Sequence, residues 1–115
     1  MSAKTDIDYL RDMLEYAEKA SSLVTGRNES ELDTDPMFRC ALQYCILIVG
    51  EAASYISEPT RSQLPCVPWR EIVGMRNWLV HGYAGISARI VWGTATGNIP
   101  SLIEQILAFL TPEQT

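Results

Sequence analysis

The chain's one histidine, His81, follows Arg76 by five positions and precedes Tyr83 by two. Together the three offer a permanent cation, an imidazole and a phenol. A guanidinium can hold a non-bridging phosphate oxygen and offset charge developing on it. An imidazole can move the proton of a 2′-hydroxyl or of a leaving group at neutral pH. This inventory suits phosphodiester cleavage, and such chemistry requires no metal. Asn77 stands four residues before His81, so the two share one face of a helix. Arg76 and His81 are about 140° apart around a regular helix. Arginine's length and the irregular helix end still let both reach one phosphate. The same residues also fit quieter roles. A histidine at a helix C-terminus favours the dipole and caps carbonyls, and a tyrosine there can be simply amphipathic.

Two charges interrupt apolar stripes. Glu51 has Leu47, Ile48 and Tyr55 as helical neighbours, and Arg76 has Ile72, Val73 and Val80. A lone buried charge costs several kcal/mol, so each is expected to be paired or to line a cleft. A structural Glu51–Arg76 pair and a charge snorkelling at a helix edge both satisfy that requirement.

The elements that must position these groups read as helices. Ile7, Leu10, Met13, Leu14, Ala17, Ala20, Leu23 and Val24 recur with helical spacing, with Thr5 and Asp8 as a capping box and Gly26 as a stop. Residues 27–34 read as a polar loop, with the acidic stretch Glu29 to Asp35 solvated. Asp35-Pro36 starts a second helix, apolar around most of its girth and therefore central, with Pro59 closing it. A proline-rich connector, 60–68, leads to a third helix from Pro68 that carries Arg76 and His81 and ends at Gly82, with a further turn at Gly85. Ser87 can cap a short fourth helix that Gly97-Asn98 breaks, and a fifth runs from Pro100 to Leu110. No alternating strand pattern and no repeat is visible. The expected architecture is all-α, one domain over residues 1–115, with two long antiparallel helices and about three shorter ones.

The 115 residues are 47% hydrophobic and 20% charged, which are globular values that exclude intrinsic disorder. A formal net charge of −5 and the lack of any basic run exclude a non-specific nucleic-acid binder. Any RNA contact must use a local cationic cluster inside an acidic shell. The start, Met1-Ser2-Ala3-Lys4-Thr5-Asp6, carries no apolar stretch behind a basic beginning, so no secretory signal is expected. No run of about 18 apolar residues is visible, so no membrane span is expected. Cys40, Cys45 and Cys66, odd in number and without a C-x-x-C, fit a reduced cytoplasmic setting and core packing. Trp69, Trp78 and Trp92 could stack on bases, but their helical spacing favours core or interface packing.

The run Gly74-Met75-Arg76-Asn77-Trp78-Leu79-Val80-His81-Gly82-Tyr83 resembles the Arg-x4–6-His motif of HEPN domains. With the tyrosine two residues beyond the histidine, it is similar to the HepT-like ribonuclease toxins of HepT/MntA toxin–antitoxin pairs. Asp8 to Leu14, Gly50-Glu51-Ala52-Ala53, the Pro65-x-x-Pro68-Trp69 lead-in, and Ile86 followed by Val91-Trp92 resemble that family in order, from about residue 6 to 110. The resemblance implies a HEPN-like bundle that forms a homodimer, with two copies of the motif helix making one cleft. It implies metal-independent endoribonuclease activity through 2′-hydroxyl attack, with Arg76 and His81 catalytic and Asn77 and Glu51 supporting. It points to tRNA as a candidate substrate. It also implies that a minimal nucleotidyltransferase antitoxin can transfer AMP to Tyr83, in a type II-like or type VII-like system. No cofactor, no metal and no membrane partner is expected. The competing expectation is a non-catalytic helical dimer that binds such a nucleotidyltransferase.

Overall fold

The computed structural model describes residues 3–81 and 86–114. Among them there are helices and turns and no strand, so the all-α expectation holds. Helix α1 spans Asp6–Val24 and begins as expected: Thr5 accepts from the Asp8 amide, and the Asp8 side chain accepts from the Thr5 amide. Gly26 follows at φ +76, a left-handed conformation that suits a residue without Cβ.

The next stretch differs from the expected loop. A short helix, α2 (Glu31–Thr34), forms because Leu32 is buried and Arg27 gathers the local carboxylates. Its Nε donates to Glu31 at 2.9 Å and its Nη2 to Asp35 at 2.6 Å, so these two acids are paired rather than simply solvated.

Helix α3 (Pro36–Ser54) has Asp35 as N-cap, its carboxylate accepting from the Phe38 amide at 3.1 Å, and Pro36 in the first turn. It is central, as expected. Leu42, Cys45, Ile46, Val49, Ala52 and Ala53 are all buried on it. Contrary to the expectation that no segment is apolar enough, α3 has the length and, at a mean hydropathy of 1.2, the composition to cross a bilayer; 44% of the segment is buried inside the chain, as in a core helix. Helix α1 lies antiparallel beside it. Tyr9 stacks on Tyr55 near one end and Tyr16 meets Tyr44 edge-on at 6.1 Å further along. Ala17 and Ala20 of α1 and Ala52 and Ala53 of α3 are buried as well.

Pro59 does not close α3, which ends at Ser54; it sits instead in the first turn of α4 (Glu58–Ser62), where its missing amide is no loss. Arg61 of α4 reaches back to cap α3, donating to the carbonyls of Ile56 and Ala53 at 3.0 and 2.9 Å. Its guanidinium also lies 5.4 Å from the centre of the Trp69 ring, and the Trp69 indole donates to the Leu64 carbonyl. This clasp turns the chain back so that α5 (Trp69–His81) runs antiparallel along α3. The Ile72 amide donates to the Pro68 carbonyl, so Pro68 stands at the start of α5 as expected.

The last part of the chain corrects another expectation. Gly97-Asn98 does not break the helix. Helix α6 (Ala88–Gly93) runs through a π turn at Thr94–Asn98 straight into α7 (Ile99–Gln114). Thr94 and Thr96 hydroxyls donate to the carbonyls of Ile90 and Trp92, satisfying acceptors where the regular ladder is interrupted. Ser87 is the N-cap residue of α6, but its side chain makes no capping bond.

Helix α7 packs on α1, and the buried residues of α1, α3, α6 and α7 form one core in which Leu10, Met13, Leu42 and Ile106 are fully enclosed. Truncating any of these to alanine costs about 2–5 kcal/mol. Helix α5 is different: it docks on α3 and on no other helix extensively, and only Leu79 among its described side chains is buried. A cleft of about 180 Å³, walled by Ile46, Val49, Ile72, Met75, Ile99 and Leu102, separates α5 from α7. Of the cysteines, Cys45 is buried, but Cys40 and Cys66 are exposed, correcting the expectation that all three pack in the core. Trp69, Trp78 and Trp92 are partly buried against the core, as their spacing indicates.

Candidate active site

The approach of α5 to α3 is set at one glycine. A Cβ placed on Gly50 would stand 2.4 Å from the Arg76 Cβ and 2.9 Å from the Ile72 carbonyl oxygen. The absence of a side chain at Gly50 therefore brings the Arg76 backbone directly against α3. Glu51, the next residue on α3, then meets the Arg76 side chain. Its Oε1 accepts from Arg76 Nε at 2.6 Å. On the other side, Arg76 Nη1 donates to Asn77 Oδ1 at 2.7 Å. The two acceptors fix the plane of the guanidinium and leave Nη2 and a second Nη1 proton uncommitted to either of them.

The pair is neither deep nor fully wet: side-chain exposure is 30% for Arg76 and 36% for Glu51. A charge-assisted bond at that depth retains more strength than a surface pair, and the exposed part of the guanidinium is open to an incoming anion. Glu51 has a further partner. Its Oε2 accepts from the Tyr55 hydroxyl at 3.4 Å, and Tyr55 is stacked on Tyr9.

The structure thus joins three of the residues singled out from the sequence, Glu51, Arg76 and Asn77, in one hydrogen-bonded array. His81 occupies the last turn of α5, exposed, about 7.5 Å along the helix axis from Arg76. Tyr83 lies outside the described residues, as do Gly82 and Gly85, to which the end of the helix and a turn were ascribed. The chain is held firmly beyond them: Arg39 of α3 donates to the carbonyl of buried Ile86 at 2.9 Å. Among the described residues no group of three or more His, Cys, Asp and Glu is placed to hold a metal ion.

Three contributors to the array, Gly50, Tyr55 and Tyr9, were assigned no role from the sequence. Gly50 carried a signal, because a glycine inside an apolar helix costs about 1 kcal/mol and marks a close approach. Tyr55 was counted as an apolar neighbour of Glu51; its i+4 spacing could equally have suggested a hydroxyl–carboxylate contact. Tyr9, on another helix, left no local trace.

Comparison with known proteins agrees with this arrangement. The family model described as ribonuclease HepT-like matches residues 13–109. A protein of Caldanaerobacter subterraneus subsp. tengcongensis that bears an RNase name is 34% identical over 96% of this chain and 99% of its own length. An RNase-named protein of Methanocaldococcus jannaschii is 32% identical over 90% of this chain and 96% of its own. A protein of Thermococcus cleftensis named as a ribonuclease HepT is 33% identical over 83% of this chain and 86% of its own. No solved structure is significantly similar. With a family match over most of its length and full-length relatives above 30% identity, the chain belongs to the HepT-like ribonuclease family.

Proposed function

We propose that the protein is a metal-independent endoribonuclease and the toxin of a toxin–antitoxin pair, working in the cytoplasm as a homodimer on RNA, with tRNA a candidate target. The observation that carries this reading is the held guanidinium of Arg76, clamped between Glu51 and Asn77 with its side chain still 30% exposed, on the helix that ends in His81. The Arg76 guanidinium binds a non-bridging oxygen of the scissile phosphate and offsets the negative charge that builds on the non-bridging oxygens. A His81 imidazole accepts the 2′-hydroxyl proton as that oxygen attacks phosphorus. The bond to the 5′-oxygen breaks, and a protonated imidazole, the partner copy's His81, supplies that oxygen's proton. The products are a 2′,3′-cyclic phosphate and a 5′-hydroxyl.

The dimer is supported by the one-sided packing of α5. Val73 is only partly buried and Val80, seven residues on and so on the same side of the helix, is 41% exposed. A second α5 against this face would bury apolar surface and bring two Arg76 and two His81 to one cleft. That doubling makes a local positive centre on an acidic body.

The test is to sequence the RNA ends produced by purified wild type and His81→Ala in buffer containing a chelator. Wild type is expected to leave 2′,3′-cyclic phosphates, and His81→Ala to be slower by about 100-fold or more with an unchanged circular dichroism spectrum. Equal cleavage by the two would remove His81 from the chemistry. Regulation is tested separately. In the proposed modification, the Tyr83 phenolic oxygen attacks the α-phosphorus of ATP on the antitoxin nucleotidyltransferase, pyrophosphate leaves and the phenolic proton is lost to a base. Intact mass should rise by one AMP, and Tyr83→Phe should abolish the rise.

A second reading is favoured by the exposed apolar side chains of Val80 and Ile90, on either side of residues 82–85. In it the chain is a non-catalytic partner of a nucleotidyltransferase, and it forms a stable complex while cutting no RNA.

A further inference from the structure

The array at Glu51 extends beyond the phosphate-binding groups. Tyr55, bonded through its hydroxyl to Glu51 Oε2, stacks on Tyr9 with ring centroids 5.1 Å apart and planes 21° from parallel. Lys4 Nζ lies 5.1 Å from the Tyr9 ring centre. Tyr55 is nonetheless 57% exposed. With Tyr9 covering one face, that exposure belongs to the opposite face and the edge. The two rings are also held in place. The Asp6 carboxylate at the start of α1 accepts from the Ser57 amide, the Ser57 hydroxyl and the Thr60 hydroxyl, tying α1 to the chain just beyond Tyr55.

We propose that the open face of Tyr55 is a base-stacking subsite for single-stranded RNA, receiving the base of a nucleotide adjacent to the phosphate at Arg76. This rests on the reading of Arg76 as a phosphate ligand. Tyr55 and Arg76 bond to the two oxygens of one carboxylate, which makes the ring and the guanidinium neighbours across Glu51. Stacking also suits the charge of the molecule. A chain of net charge −5 gains little from general phosphate attraction, whereas a π-face binds a base without positive charge. The ring is preset by Tyr9 and by the Asp6 tie, so little side-chain freedom is lost on binding. A base engaged in a duplex cannot present its face, which makes the ligand a single strand or a loop.

The test measures binding of a short, mixed-sequence, fluorescently labelled single strand carrying 2′-O-methyl groups, which cannot be cut, to the full chain. Tyr55→Ala is expected to weaken binding roughly 5- to 150-fold, while Tyr55→Phe and Tyr55→Trp, which keep a ring, stay within about twofold of wild type. With cuttable RNA, Tyr55→Ala should raise KM and leave kcat little changed. Unchanged affinity in Tyr55→Ala, or a loss in Tyr55→Phe as large as in Tyr55→Ala, would overturn the proposal. So would the dissociation of a wild-type dimer by Tyr55→Ala in sedimentation, since the ring would then belong to a subunit contact. A wild type that binds through Tyr55 but never cuts RNA keeps the stacking site and removes the nuclease reading. A wild type that cuts RNA with no dependence on Tyr55 does the reverse.

Discussion

Gly50 and Arg76 share a space in which only one Cβ fits: an alanine at Gly50 would place its methyl carbon 2.4 Å from the Arg76 Cβ. Gly50→Ala therefore sets two effects against each other. Alanine in a helix interior gains about 1 kcal/mol over glycine. Forcing α5 off α3 costs about 1–3 kcal/mol, and the clashing atoms are a Cβ and a backbone carbonyl, neither of which can swing aside. A net loss of stability is expected in thermal melts, together with a fall in RNA cleavage as Arg76 moves from Glu51. Gly74→Ala, with open space around it on α5, is the control and should melt slightly higher.

The clamp on the guanidinium should matter more to rate than to folding. Glu51 and Arg76 are about one-third exposed, so Glu51→Gln is expected to change stability by at most roughly 1 kcal/mol. Arg76→Lys keeps the charge but cannot engage Glu51 and Asn77 while still offering donors to a phosphate. Its kcat should fall by about 10- to 100-fold, with a melting temperature close to wild type. Comparing single-turnover rates with melts separates the two effects.

Asp6 provides a pH signature. The hydroxyls of Ser57 and Thr60, with the Ser57 amide, hold its carboxyl below the ordinary carboxylate range. A folded-state value below the unfolded one stabilises the fold fully above the unfolded value, and that contribution disappears as pH falls through the lowered folded value. Asp6→Asn should thus melt a few degrees below wild type near pH 7, with the gap narrowing below about pH 4. A gap equally wide at pH 3 and pH 7 would show that the charge on Asp6 is not its source.

The cysteines should separate by reactivity. Burial pushes the Cys45 thiol above its ordinary value, only partly opposed by the Lys19 charge, while Cys40 and Cys66 are exposed. Brief alkylation at pH 8 followed by mass spectrometry should find adducts on Cys40 and Cys66 and leave Cys45 unmodified until denaturant is added. Early labelling of Cys45 would mean that the α1–α3 contact opens readily.

Periodicity and capping made α1 and α3 legible because each signal is local: Thr5 with Asp8, Asp35 with Pro36, and apolar residues on one stripe. The Glu51–Arg76 contact was also legible, since each charge stood alone in an apolar stripe and needed a partner. The remainder depended on distance in space. Leu32 becomes helical because the core covers it, and Arg27 collects Glu31 and Asp35 only once that turn exists. Pro59 looked like the end of one helix and proved to begin another. The Tyr9–Tyr55 stack joins residues far apart in sequence, and no local pattern announces it.

The π turn at Thr94–Asn98 has a consequence for the register of the C-terminal helix. Val91 and Leu110 are both buried, yet in an unbroken α-helix they would point about 100° apart. Five residues wound at roughly 80° each rather than 100° take up nearly all of that difference. The wide turn therefore works as a phase corrector that keeps Ile99, Leu102, Ile106 and Leu110 facing α1 after Val91 and Ala95 have set the direction. Four residues in regular α winding would cover nearly the same rotation as these five, so deleting one residue there would leave every later side chain in its seat, whereas a deletion elsewhere in α7 would swing those beyond it by about 100°.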